Sequence, residues 1–539
     1  MSRFLFRWFP RQSVGEVTSR LIYIEEYCPL LMALETVVVG LDGAHFELLD
    51  PWLDDGELPN IERIVHNGVS ADLESVLPPV TSPNWKAYTT GKNPGKIGIF
   101  WWENIDTERR RVHYPVDRKH KQTEFWEILA SSSRVGVLGV PTTYPPKETG
   151  EFVVAGAPDG EDTGFAYPEE IEHTLRDEFD YRLVLNQRLK DAPERAVEEI
   201  TELIDQRFEA AKYLAAEHDV EFLQLTTFYI NSLHHFYWDH EYTLQAWKII
   251  DEHVGDLLDE AENVVLMSDH GSNRIETVFN INTWLERNGY LSLDVGAGNL
   301  LHEFGVTTDN LIQLATMLGI RNSAERVAPE WLLNKIPNKH GEFRREQKTD
   351  RVDWDATDAI ASGQGPIYLT IPDGTPEYER IRSELITELR SVAGPKGRPV
   401  ASDVFPGDEV YDGAYSDEAP DIVINQAKGV HIPGNIGSNE VFSDPEGRWR
   451  AENKRHGMFA ATGPAFGNGD VGTLSILDLA PTLLHLHGHP IPEDMDGDVR
   501  TDVFAQDSEA AARSVRVESP TDIQAEIERI RSAARELSI

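Results

Sequence analysis

Val264-Val265-Leu266-Met267-Ser268-Asp269-His270-Gly271 is a short apolar run that ends in an acid, an imidazole and a glycine. Bounded by an acidic segment on one side and by Gly271 on the other, it spells a short buried strand. A second run has the same form: Val37-Val38-Val39-Gly40-Leu41, followed by Asp42-Gly43. In an open parallel α/β sheet, ligands bind outside the carboxyl ends of the strands. Carboxylates and an imidazole at two such exits point to a metal centre. They favour a hydrolase or transferase over a simple binding module.

Working outward, residues 58–68 spell a helix begun by Pro59 and stopped by Gly68, and 69–77 alternate as a strand broken by Pro78-Pro79. Thr81-Ser82-Pro83-Asn84 opens another helix. Residues 134–140 and 220–227 are further buried strands, and 193–217 and 241–259 are amphipathic helices. Strands alternating with helices predict a doubly wound, mostly parallel α/β sheet with helices on both faces. The segment 281–400 breaks the alternation and reads as an inserted cap, with the chain rejoining the main sheet near 421–424. The expected organisation is an extension over 1–34, a catalytic core over 35–280 and 401–503, the cap at 281–400, and a linker with a C-terminal helix over 504–539. Residues 1–31 carry Arg3, Arg7, Arg11 and Arg20 among aromatics and lack the apolar core of a signal peptide. They read as an unstructured extension, and Met32 would itself make a natural start.

The polar residues gathered at strand exits are Asp42, Thr81, Asn231, His235, Asp269, His270 and His456. Oxygen and imidazole donors in this mixture suit Zn²⁺ or Mn²⁺. Two ions about 3.5–4 Å apart would clamp the attacking and leaving oxygens of a phosphoryl displacement. A threonine hydroxyl is a poor nucleophile until coordination lowers its pKa. At a helix start, Thr81 would also hold developing negative charge near backbone N–H groups.

In these motifs the chain resembles the alkaline phosphatase superfamily, and within it the type I phosphodiesterase/nucleotide pyrophosphatase family. The matching stretches are Gly40-Leu41-Asp42-Gly43, Pro78 through Gly91, Asn231 through Trp238, Ser268-Asp269-His270-Gly271 and His456-Gly457-Met458-Phe459, in that order. The resemblance implies that Asp42, Thr81, Asp269 and His270 ligate one metal, and that His235 and His456 ligate a second. It implies that Thr81 is the nucleophile that becomes transiently phosphorylated and that Asn84 contacts a phosphoryl oxygen. The implied activity is metal-dependent hydrolysis of phosphodiester or pyrophosphate bonds in a small-molecule phosphate ester. The alternatives are a phosphotransferase, a phosphomonoesterase or a sulfatase-like enzyme on the same scaffold, or a non-catalytic binding relative with a degraded second metal site. Two departures stand out. Asn231 occupies the position where the family has an aspartate, and Ile97 follows the Pro-Gly-Lys turn where members often have histidine.

Other histidines and acids read as structural. His485-Leu486-His487-Gly488-His489 alternates as metal-binding tracts do, but it lies in a segment that resembles a structural part of the family. Asp494, Asp496 and Asp498 lack the spacing of a calcium loop. His234 competes with His235 and is assigned a structural or substrate-facing role. Trp284, Trp331 and Trp354 could stack on a base, although tryptophans in such segments are more often core.

The 92 acidic and 50 basic residues give a net charge of −42. There is no basic surplus to hold nucleic acid. With one cysteine, Cys28, the sequence offers no intrachain disulfide and no thiolate metal site. No apolar run is long enough to span a bilayer. The acidity is dispersed rather than gathered in a tail, as in a halophilic, cytoplasmic chain; the sequence does not specify an oligomeric state. Self-repulsion destabilises so charged a compact state, and salt screens it over a Debye length of about 3 Å near 1 M. Melting temperature should therefore rise along a KCl series from millimolar to molar. A flat or falling series would mean that the carboxylates are paired locally.

Overall fold

The computed structural model describes residues 34–525 except 159, 187–192, 295–348, 350 and 446–448, together with 527 and 529. All but Leu34 of the expected extension at 1–34, Trp331, the middle of the expected cap and most of the C-terminal helix lie outside the described residues.

A nine-stranded sheet organises the chain. In chain order its strands are β1 (Leu34–Leu41), β2 (Val69–Glu74), β3 (Val135–Leu138), β4 (Phe152–Val154), β5 (Ala166–Tyr167), β6 (Phe222–Thr227), β7 (Ala261–Met267), β8 (His456–Thr462) and β9 (Gly469–Ser475). Their spatial order is β9-β2-β8-β7-β1-β6-β3-β4-β5. The run β7-β1-β6-β3-β4 is parallel throughout. Strands β8 and β5 run against their neighbours. This is the doubly wound, mostly parallel sheet of an alkaline-phosphatase-like fold.

The pattern of β1 explains its central place. Side chains alternate across a strand. Val37, Val39 and Leu41 enter one core with Leu49, Ile61, Leu214, Ile250 and Leu257. Val38 enters the core on the other face with Trp85, Tyr88, Phe125 and Leu483. Apolar residues on both faces need helices on both sides, which is why the run is continuous rather than alternating.

A second, antiparallel sheet comprises residues 359–361, 366–369, 422–426 and 401–406 in that spatial order. The helix Pro376–Ser391 packs on it through Ile381, Leu385 and Leu389. The expectation that 421–424 rejoins the main sheet is thus corrected: Ile422 and Val423 pair with Ile367 and Pro366, and Ile424 with Val404. A fully buried strand reads alike in either sheet, so its apolar run could not say which one it joins. The core assigned to 401–503 therefore begins with strands of the second sheet. Trp284 and Trp354 pack against this sheet's core.

The stretch after 503, expected to be a linker, is packed. Phe504 and Ala510 are buried, and Val517 pairs with Ile491. No described helix is long and apolar enough to cross a membrane.

The helix Thr81–Thr90 is buried along its whole length. Its one cation, Lys86, is 1% exposed and lies 2.6 Å from Glu124, with Lys147 at 3.5 Å from the same carboxylate. Removing one partner of a buried pair strands the other charge. Lys86→Met should lower unfolding free energy by about 3 kcal/mol, at the low end of that class because Lys147 stays behind. Urea denaturation would read it. An unchanged midpoint would mean that the pair contributes nothing to holding this helix.

Candidate active site

Register brings the two acidic strand exits together. Gly40 of β1 pairs with Met267 of β7, so Asp42 and Asp269, each two residues further on, emerge side by side. Gly40 also permits a close approach from the opposite face. A Cβ there would meet Trp85 Cη2 and Thr226 Oγ1, each at 2.5 Å. Trp85 thereby reaches Asp42 and donates from Nε1 to Oδ2 at 3.0 Å. Gly43 turns the chain at φ 71° and donates its N–H to Asp269 Oδ1 at 3.2 Å.

The His270 ring is held by Nδ1–H donating to Gly271 O at 2.9 Å, which leaves Nε2 as the lone-pair nitrogen. That nitrogen lies 3.2 Å from Asp269 Oδ2, 3.7 Å from Asp42 Oδ1 and 3.3 Å from Thr81 Oγ1. All three side chains of the cluster are fully or almost fully buried. Asp42 Oδ1 and Asp269 Oδ2 have no hydrogen-bond partner. Among the described residues this is the one group of three or more acids, histidines or cysteines whose donor atoms lie within 4.8 Å of one another. Two unsatisfied carboxylate oxygens and an imidazole lone pair, converging out of water, fit a divalent cation.

Burial, and then Asp269, push the Asp42 carboxyl well above the usual carboxylate range. Burial likewise pushes Asp269 up to about 8, and burial lowers His270.

Thr81 opens its helix, where the first N–H groups lack intrahelical acceptors. Asn84 does not turn toward this site. Its carbonyl accepts from Val76 N at 2.8 Å, and its amide donates to Pro78 O at 3.1 Å and Val80 O at 2.9 Å. In this structure Asn84 braces the loop before Thr81. A side chain one helical turn after a helix start can cap that loop as readily as it can face outward, and here the backbone takes every polar atom.

The helix Tyr229–Tyr237 follows β6 and carries Asn231. Asn231 helps to lower the Asp42 carboxyl against burial, and its buried Oδ1 has no partner. A Cβ on Gly43 would lie 2.4 Å from that oxygen. Asn231 thus adjoins the carboxylate cluster. His234 points into the core instead: Trp247 Nε1 donates to its Nε2 at 3.1 Å, and burial pushes it down to about 3. His235 donates from Nδ1 to Ala451 O at 2.8 Å and stacks on Trp449 at 4.0 Å.

His456 is not brought to the cluster. Its side chain is 48% exposed, 4.0 Å from Asp72 and 3.9 Å from Glu74. Gly457 is the residue that meets Ser268 and His270, and the two-residue period of β8 sends His456 to the other face. The residues expected to hold a second cation are therefore not assembled. The histidines of 485–489 scatter as structural groups, onto Ala510 O, the Phe222 ring and Ser132 Oγ. Asp494 and Asp496 pair with Lys92 and Lys96.

A cavity of about 510 Å³ opens beside Thr81. Asn231 and His235 line it, and so does Glu452, which the sequence reading missed. Glu452 is 2% exposed and accepts from Gln364, Trp449 and the Asn453 N–H, with His431 at 2.5 Å. Burial raises its carboxyl, but His431, then His235 and the Asn453 N–H, outweigh burial and hold it at about 2. Nothing local in Trp449-Arg450-Ala451-Glu452 marks this residue out in a chain with 92 acids.

A sequence profile of the type I phosphodiesterase/nucleotide pyrophosphatase family matches residues 36–458. The chain belongs to that family and is a hydrolase of the phosphodiesterase/pyrophosphatase kind. No curated protein matches it in sequence. Among solved structures, phosphonoacetate hydrolase from Sinorhizobium meliloti in complex with phosphonoformate superposes with a TM-score of 0.51 at 14% identity, over 83% of this chain and 94% of that one. The same enzyme with phosphonoacetate gives 0.51 at 15% identity, over 80% and 89%. A murine ectonucleotide pyrophosphatase/phosphodiesterase in an inactive form with AMP gives 0.47 at 13% identity, over 87% and 100%. At such identities the likeness is one of fold.

The carboxyl shifts have a pH consequence. Asp269 changes from 3.8 when unfolded to about 8 when folded. Between those values the native state binds more protons than the unfolded one, so stability falls as pH rises. Buried histidines act oppositely, but only below their ordinary value of about 6.5. In metal-stripped protein, melting temperature should fall from about pH 6.5 to about 8.5, and Asp269→Asn should flatten that slope. A slope that rises in the unmutated protein would refute the shift.

Proposed function

We propose that this chain hydrolyses phosphodiester or pyrophosphate bonds in two displacements through a phosphothreonine at Thr81. The observation that carries the proposal is the meeting of Thr81 Oγ1, which lines the cavity, with His270 Nε2 beside the two unsatisfied carboxylate oxygens.

In the first displacement Thr81 Oγ1 attacks phosphorus and the alcohol or phosphate leaves. In the second, water attacks the phosphothreonine and regenerates the hydroxyl. A divalent cation, Zn²⁺ or Mn²⁺, held by Asp42, Asp269, His270 and Thr81 would supply Lewis-acid stabilisation and lower the hydroxyl's pKa. The protein's own part is positional. Trp85 and the Gly43 N–H fix the two carboxylates, and Gly271 O fixes the His270 ring. Asn84 braces the loop that delivers Thr81. The N-terminal N–H groups of the Thr81 helix favour charge developing on the phosphoryl oxygens. The cluster is fully buried, so such charges interact in little water.

A second cation on Asn231, His235 and His456 is not used in this mechanism, because His456 lies apart and Asn231 offers a neutral amide. The same two features support the rival reading of a binding relative that has lost catalysis. Metal content separates the two only in part, so turnover decides.

Thr81→Ala should abolish hydrolysis of bis(p-nitrophenyl) phosphate while costing about 1 kcal/mol of stability, the scale of its one hydrogen bond to His270. In the unmutated enzyme, acid quench of a labelled substrate should trap on Thr81 the phosphoryl group with its remaining ester substituent. Near-normal turnover in the variant would point to direct attack by water. No turnover in the unmutated, metal-loaded chain on any phosphodiester, pyrophosphate, monoester or sulfate ester would favour the binding relative.

A further inference from the structure

The first displacement proposed above leaves one charge unanswered. Thr81 Oγ1 lies beside His270 and the carboxylate cluster, so attack comes from that side. An in-line departure sends the leaving oxygen the other way, into the cavity that Thr81 lines. In a two-cation site a second ion clamps that oxygen. Here the residues expected to hold such an ion are not assembled, because His456 stands apart. A poor leaving group must then be met by a proton, and the chain has to supply it.

Three described side chains lining the cavity bear an imidazole or a carboxyl: His235, His431 and Glu452. Their surroundings separate them. Glu452 is fully engaged. Its Oε1 accepts from Gln364 Nε2 at 2.7 Å and from the Asn453 N–H at 2.9 Å. Its Oε2 accepts from Trp449 Nε1 at 3.2 Å and faces His431 Nδ1 at 2.5 Å. A carboxylate so surrounded stays ionised and has no proton to give. His235 is tied down structurally: its Nδ1 donates to Ala451 O, its ring lies against Trp449, and burial keeps it neutral. His431 remains. Its side chain is 22% exposed, and its Nδ1 is turned to the buried Glu452 carboxylate. That contact holds a proton on Nδ1 and leaves Nε2 as the working nitrogen. A carboxylate behind an imidazole orients the ring and stabilises the imidazolium.

The pair is secured by a strained residue. Gln364 sits at φ 62°, a left-handed conformation that residues other than glycine adopt only when their surroundings impose it. Its N–H donates to Ile432 O at 2.7 Å, next to His431 in the chain. Its side chain accepts from Trp101 Nε1 and donates to Glu452. One residue thus fixes both the segment that carries His431 and the carboxylate that His431 faces.

Resting on the reading of Thr81 as nucleophile, we infer that His431 is the general acid of the first displacement and the general base of the second, with Glu452 and Gln364 as positioning residues. In the first step the bond from Thr81 Oγ1 to phosphorus forms and the bond from phosphorus to the leaving oxygen breaks. The proton on His431 Nε2 passes to that oxygen, and a neutral alcohol departs. In the second step water enters from the side the alcohol has left. His431 Nε2 takes a proton from it as its oxygen bonds to phosphorus, and the Thr81 oxygen leaves. Thr81 gives a proton to solvent before the first step and recovers one after the second, so both residues end as they began. A phosphate leaving group is a weak base and needs this proton less. The device therefore serves esters of alcohols more than pyrophosphates.

The test compares two methyl phosphodiesters, one losing p-nitrophenol and the other phenol, on the full metal-loaded chain at one pH. p-Nitrophenolate departs readily without a proton, and phenolate does not. The quantity read is kcat/KM, which reports the first displacement whatever the rate of the second. His431→Gln keeps an N–H for Glu452 but has no proton to transfer. Its loss should be about 100-fold greater on the phenyl ester than on the p-nitrophenyl ester, the lower end of general-acid contributions. Melting temperature and metal content should match the parent. Glu452→Gln should show the same split in weaker form. Equal losses on the two esters in His431→Gln overturn the inference, because a structural or binding role falls on both alike. A steep parental preference for the p-nitrophenyl ester overturns it without any variant. Acid quench separates this inference from the reading it rests on. If the phosphoryl group is trapped on Thr81 but the two esters suffer alike, the acid assignment fails and the nucleophile stands. If nothing is trapped on Thr81 and the split persists, the acid stands and the nucleophile fails. No turnover of either ester by the parent overturns both.

Discussion

Two carboxylates buried side by side are the constraint around which the rest of this molecule is arranged. Asp42 and Asp269 are brought together by the pairing of β1 with β7, and each keeps one oxygen without a partner. Such an arrangement is expensive in the absence of a counter-charge. It persists because the surrounding fold leaves neither residue another position. Trp85 and the Gly43 N–H hold the satisfied oxygens, and the bare Gly40 allows Trp85 to come near enough to do so. The unsatisfied oxygens then face the same way as the His270 lone pair, and stability has been exchanged for a ready-made cation site.

That site is shallow in sequence terms but deep in the fold. Thr81 comes from a helix packed along its whole length between the sheet and its neighbours, and the loop before it is stitched by Asn84. Rigidity of this kind suits chemistry in which a hydroxyl must meet phosphorus in line with the leaving oxygen. The adjoining cavity is built differently. Its walls are aromatic side chains oriented through their N–H groups by amide and carboxylate partners.

The strand exits were legible because a parallel strand buried on both faces must be a continuous apolar run, and a charged residue directly after such a run has few reasons to be there. Asp42, Asp269 and His270 all satisfy that rule. What the sequence could not convey was direction. His456 lies next to the residue that touches His270, yet the pleat turns it to the far face. Asn84 follows Thr81 by three residues, yet backbone groups claim its amide. Residues 422–426 form a buried strand as expected, but an apolar run does not name its sheet. Glu452 was invisible for the opposite reason: its importance comes from His431, Gln364 and Trp449, partners drawn from separate parts of the chain, and nothing beside it in sequence signals them.

The cavity is lined by segments that connect the strands of both sheets, and this divides the molecule's inheritance. Asp42 and Asp269 follow strands of the central sheet and Thr81 opens a helix packed on it, whereas Gln364 and His431 come from segments flanking the smaller one. Substitutions elsewhere in those flanking segments can reshape what is admitted without disturbing the carboxylate pair. The converse does not hold, because a change at Gly40 or Gly43 would displace Trp85 or Asn231 and with them the surroundings of the carboxylate pair. Reaction and selectivity can therefore diverge at different rates along one chain, the first almost frozen by packing and the second free to wander.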